Sequence, residues 1–130
     1  MAKNLIFVLS DQHRWDALGS KNPVIKTPHL DKLAGQGVSC ENFMCSTQPC
    51  VPARATILTG RYHEEHGMGS NSTILGRHEK TWPGHLSEHG YQTVAVGRTH
   101  HIDKGFDHVI RVPSGESYPM NCHDPRMQLQ

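Results

Sequence analysis

Cys50 and Arg54 stand four residues apart in the stretch Gln48-Pro49-Cys50-Val51-Pro52-Ala53-Arg54-Ala55-Thr56-Ile57-Leu58-Thr59-Gly60. Pro is tolerated in the first turn of a helix and Gly commonly follows the last. The spelling therefore predicts a helix from about Pro52 to Thr59. Cys50 falls at its N-terminus, where unpaired N–H groups and the helix dipole favour an anion. Arg54 lies about one turn further on and can return its guanidinium to the same point. A nucleophile, a ring of N–H donors and a fixed cation together suit a tetrahedral oxyanion. A plainer reading stands beside this one: Cys is often buried and inert, acting as a small hydrophobe.

Two other polar groups follow apolar runs. Leu5-Ile6-Phe7-Val8-Leu9 reads as a strand buried on both faces, as in a parallel sheet, and it leads to Asp11. Tyr91 to Val96 reads as a second buried strand, and Gly97-Arg98-Thr99-His100-His101 follows it. In open α/β sheets, ligands gather at the carboxyl ends of strands. Asp11 is then either a ligand or a turn cap. An extended backbone would put Arg98 and His100 on the same side.

The remaining elements must hold these ends in place. Thr27-Pro28-His29-Leu30-Asp31-Lys32-Leu33-Ala34 reads as a helix with Thr27 as N-cap and Leu30 and Leu33 facing a sheet. Val38 to Phe43 reads as a short strand, and Cys40 and Cys45 as structural thiols. His63-x-x-His66 has a zinc-like spacing, but Gly60 and Gly67 bracket it and break the periodicity. Residues 69–80 read as a surface loop, and Thr81 to Gly90 as a second capped helix. Little periodicity remains in 109–130, which reads as irregular. The order strand, helix, strand, helix, helix, strand implies an α/β domain, a mostly parallel sheet flanked by helices.

Composition narrows the function. A chain of 130 residues suits one small domain. A net charge of +1 offers no basic patch for nucleic acid. The four cysteines match no common zinc spacing. The run at 5–9 is too short for a signal-peptide core or a membrane span, so a cytoplasmic location with reduced thiols and no membrane partner is expected.

Cys50-Val51-Pro52-Ala53-Arg54 with Leu58-Thr59-Gly60-Arg61 resembles the signature of the formylglycine-dependent sulfatases, in the alkaline-phosphatase-like superfamily. Gly90-Tyr91-Gln92-Thr93 through His100, then Gly105-Phe106-Asp107, resembles a second family stretch, with Arg98 in place of the usual Lys. The pair Asp11-Gln12 is similar to that of the branch containing the phosphonate monoester hydrolases. The resemblance covers nearly all of residues 4 to 108. It implies an alkaline-phosphatase-like fold.

The resemblance also implies a sulfuric ester hydrolase. Cys50 would be oxidised to formylglycine by a separate maturation enzyme, and its hydrated aldehyde would be the nucleophile. Arg54, Arg98 and His100 would serve the oxyanion. Asp11, Gln12 and the modified Cys50 would contact a divalent cation, calcium or manganese, for which oxygen ligands are suited. The substrate would be a small-molecule sulfate ester. Family members are several times longer and carry further ligands that cannot be located here. The chain therefore reads as the N-terminal portion of the catalytic domain, an incomplete fold with little activity alone. Two alternatives stay open: a phosphonate or phosphate ester hydrolase, or an inactive anion-binding fragment.

Overall fold

In a computed structural model, residues 3–99 and 102–111 are described. The chain divides into two compact units, Met1–Met44 and Cys45–Gln130.

The first unit contains α1, Pro28–Gln36. Pro28 opens it as expected, but the Thr27 hydroxyl does not cap a helix amide. It accepts the Gly19 N–H at 2.8 Å and donates to Asp31 Oδ1 at 3.0 Å. Asp31 Oδ1 also accepts the Ser20 N–H. These bonds tie the 19–20 turn to the helix start. The Asp31 carboxylate lies so close to Gly19 that a Cβ there would meet Oδ2 at 2.4 Å.

Three further expectations in this unit are corrected. Leu5 to Leu9 forms no strand; Ile6 and Val8 are 87% and 85% exposed. Residues 38–43 are likewise irregular and exposed, Cys40 among them. A strand exists only through its ladder, and among the described residues neither run is part of a sheet. Leu30 and Leu33 are also exposed rather than packed on a sheet.

The second unit holds the core. Its centre is α2, Cys50–Thr59, which buries Val51, Pro52, Ala55 and Leu58. Those positions repeat at helical spacing and define one inward stripe. Met68, Leu75 and Ile102 close over it, and Cys50, Trp82 and Phe106 pack at its margin. Met68 is fully buried, a contribution of about 1.5–3 kcal/mol by transfer. The helix ends at Gly60, φ 68°, where the left-handed conformation favours Gly.

α3, His63–His66, follows, then the segment 69–80. That segment is irregular and mostly exposed, as its polarity predicts, with two residues turned inward. It buries Leu75 and Glu79, and Glu79 Oε2 pairs with Arg61 Nη1 at 3.1 Å. A charge so buried needs such a partner.

α4, Trp82–Glu88, begins at Thr81, whose hydroxyl accepts the Gly84 N–H and donates to the Lys104 carbonyl. β1, Val94–Gly97, and β2, His108–Arg111, then pair in parallel, Val94 opposite His108. The sheet described has these two strands. β1 is therefore not buried on both faces: Val94 and Val96 are exposed while Ala95 is half-buried. β2 also occupies positions expected to be irregular; residues 112–130 lie outside the described residues.

The connection between the strands is fixed by Thr93 and Asp107. The Thr93 N–H and hydroxyl both donate to Asp107 Oδ2, at 2.8 and 3.0 Å, and the Asp107 N–H donates back to Thr93 Oγ1. Ser87 donates to Asp107 Oδ1 at 2.6 Å, which ties α4 to the same carboxylate. Phe106 meets Trp82 edge-on, with ring centroids 6.0 Å apart. Thr93 and the Gly105-Phe106-Asp107 run thus build the scaffold that carries the end of β1.

Candidate active site around Cys50

Cys50 is the first residue of α2, half-buried, with its thiol outside any disulfide. Its Sγ lies 3.6 Å from Asn71 Oδ1. The same oxygen accepts the Val51 N–H at 3.1 Å. Asn71 thus does from a distant loop what a side-chain N-cap does locally, because Pro49 precedes Cys50 and makes no side-chain cap.

This arrangement revises the expected ring of N–H donors. Pro52 has no N–H. The Val51 N–H goes to Asn71, and the Ala53 N–H goes to the Pro49 carbonyl at 3.1 Å. These donors are spent inside the protein, so charge at this end of α2 must be met chiefly by side chains.

Arg54 is the nearest such side chain in sequence. Its Nη1 donates to the Arg98 carbonyl at 3.2 Å. One turn in from Cys50, α2 is therefore tied to the residue just beyond β1. A guanidinium has five N–H donors in a planar fork, so one bond to a carbonyl orients the group and leaves it able to hold an oxyanion. The Arg98 residue itself is exposed. Arg54 and the Arg98 backbone thus meet one turn along α2 from Cys50.

Asp11 and Gln12 belong to the first unit, where both are exposed. Gln12 has φ 52°, a left-handed conformation uncommon outside Gly. Their carboxylate and amide oxygens are hard donors, the right chemistry for calcium or manganese. Among the described residues, no group of three or more His, Cys, Asp or Glu is assembled to hold a metal, so the pair is at most part of a ligand set. His100 lies outside the described residues.

Three other residues have partners of their own. Arg61, the last residue of the signature stretch, follows the far end of α2 and pairs with Glu79. His66 has no nitrogen left for zinc. Its Nδ1 accepts the Met68 N–H at 3.2 Å, which puts the proton on Nε2, 3.0 Å from Thr56 Oγ1. Cys45 is exposed rather than structural, its thiol donating to the Thr47 carbonyl. Asn71 was not anticipated: it stands 21 residues from Cys50, inside a polar run with no periodicity to mark it.

Comparison with known proteins places this geometry in a class. The family model described as Sulfatase matches residues 3–129. The chain belongs to the sulfatase family. Members generally use a formylglycine and a divalent cation.

The chain is 33% identical over 125 residues to an N-acetylglucosamine-6-O-sulfatase of Bacteroides thetaiotaomicron, covering 94% of this chain and 22% of that protein. It is 35% identical over 102 residues to an arylsulfatase of Clostridium perfringens, covering 77% and 21%. Its fold is similar to a protein solved with its substrate D-glucosamine-2-N,6-O-disulfate (TM-score 0.77, 34% identity, 82% of this chain and 22% of that one). It is also similar to the phosphonate monoester hydrolase of Agrobacterium radiobacter (TM-score 0.74, 27% identity, 83% and 25%). The α/β, alkaline-phosphatase-like expectation agrees with these neighbours. The chain spans about a fifth of the length of the curated relatives it matches.

Proposed function

We propose that the protein hydrolyses sulfate esters at position 50, after a maturation enzyme has converted Cys50 to formylglycine. The observation that carries this reading is the placement of Cys50 on the first turn of α2, with Arg54 anchored on the Arg98 carbonyl. The hydrated aldehyde, when present, supplies a hydroxyl able to attack sulfur and a second hydroxyl that lets sulfate leave. A divalent cation, calcium by the hardness of its ligands, would be held by Asp11 and Gln12 together with further ligands. Such an ion polarises sulfuryl oxygens and favours ionisation of the nucleophile.

The chain's own residues do the rest. Arg54 offsets charge on the equatorial oxygens, a preorganised electrostatic term that is often the largest in such reactions. Arg98 adds a second cation at the strand end. Asn71 Oδ1 orients the group at position 50, and His100 orients the diol or moves its proton. Sugar sulfates are the first substrates to try, given the similarity to an N-acetylglucosamine-6-O-sulfatase and to a protein solved with a glucosamine disulfate.

The test is release of sulfate from an aryl sulfate and from glucosamine 6-sulfate by protein produced with the maturation enzyme, with Cys50→Ala as control. Turnover lost in Cys50→Ala supports the reading; equal release by both proteins contradicts it. The likeness to a phosphonate monoester hydrolase supports a second reading in which the same site cleaves phosphonate esters. Faster turnover of an aryl phosphonate than of the matching sulfate would favour it. An anion-binding role with an unmodified thiol is the outcome if neither ester is cleaved.

A further inference from the structure

We propose that His85 and His89 form a two-ligand surface site for a borderline divalent transition metal ion such as Zn2+ or Ni2+. The two residues stand one turn apart at the end of α4, so their side chains share a face of the helix. Both are exposed, and their ring centroids are 4.3 Å apart with planes tilted by 50°. No hydrophobic burial accounts for this approach.

The bond made by His89 points to metal chemistry. Its Nδ1 lies 2.8 Å from the His85 carbonyl oxygen. A carbonyl only accepts, so Nδ1 carries the proton. Neutral His89 then presents the lone pair of Nε2. A backbone carbonyl on the other ring nitrogen is the usual device that fixes tautomer and orientation in metal-ligating histidines. The His85 ring makes no hydrogen bond among the described residues, and a neutral imidazole always retains one lone pair. Imidazole suits zinc, copper and nickel, whereas calcium and magnesium prefer oxygen. This pair is therefore chemically distinct from Asp11 and Gln12.

The surroundings fit an open site. His85 lines an open cleft together with Trp82, Glu88 and Lys80. Two protein ligands leave the other coordination positions of the ion to water or to an anion in the cleft. The ion would also bridge the last turn of α4 to its C-cap residue, His89, which holds no left-handed Gly.

The test is a Zn2+ titration of the full 130-residue chain, followed by ring-nitrogen NMR of its histidines. Because each ring is read separately, zinc taken up by thiols does not obscure the result. The expected result is a saturable shift of both rings together, with His89 Nδ1 still protonated. In His85→Asn the His89 shift is lost, and in His89→Gln the His85 shift is lost. Both side chains are exposed, so the variants fold, and circular dichroism confirms it. His78→Gln, altering a neighbour on the cleft edge, leaves both shifts in place. Rings that do not shift, or that respond equally when the other is removed, would overturn the proposal.

Discussion

The side-chain oxygen of Asn71 lies 3.1 Å from the amide nitrogen of Val51, at the first turn of the helix that carries Cys50. One loop residue thereby caps α2 and touches the candidate nucleophile. Asn71→Ala should lower stability by about 1 kcal/mol, the usual cost of a lost cap. The midpoint of urea unfolding measures this. Asn71→Asp keeps the acceptor but brings negative charge to position 50, so it should be nearer wild type in stability and weaker in binding sulfate.

Arg54→Lys keeps the charge but removes the planar fork that reaches the Arg98 carbonyl. Aryl sulfate turnover by the matured protein should fall roughly 10²-fold or more, the scale for losing one preorganised oxyanion donor. Wild-type turnover in Arg54→Lys would mean that only net charge matters there.

Asp107 gives a pH dependence with a defined sign. The Ser87 hydroxyl first, then the Thr93 backbone N–H and hydroxyl, hold its carboxyl below the ordinary value. A carboxylate whose folded pKa is depressed stabilises the fold above its unfolded value, near 3.9. That stability is lost as pH falls through the lower folded value. Asp107→Asn should be less stable than wild type at neutral pH and should lose less on acidification below about pH 4. Parallel acid-unfolding curves for the two proteins would remove Asp107 from the account.

Gly105 has φ 89°, and a Cβ there would meet Thr81 Oγ1 at 2.3 Å and Gly84 N at 2.7 Å. Gly105→Ala should therefore destabilise by more than about 1 kcal/mol, since both the conformation and the space are closed to Ala. Chemical denaturation checks it. The Gly in the Gly-Phe-Asp run is thus required by the close approach of α4.

The sequence was legible where the signal is local. Pro52 and Gly60 located α2, and Pro28 located α1, because φ constraints act within one or two residues. The strand reading of Leu5 to Leu9 was wrong for the described structure, since apolar content shows a demand for burial without naming the ladder partner. Asn71 and the Arg61–Glu79 pair were invisible for a related reason. Each joins residues about twenty positions apart, and neither polar residue stands out from the loop around it. The expected ring of helix N–H donors failed on a point the sequence did contain: Pro49 and Pro52 remove two donors at that helix end.

The central claim, that position 50 carries the nucleophile of a sulfatase, is tested most directly by mass. Protein co-produced with a formylglycine-generating maturation enzyme is alkylated and digested, and the peptide from Leu33 to Arg54 is weighed. The account predicts alkylated thiols at Cys40 and Cys45 and the lighter aldehyde at position 50. Full alkylation at all three positions would contradict it.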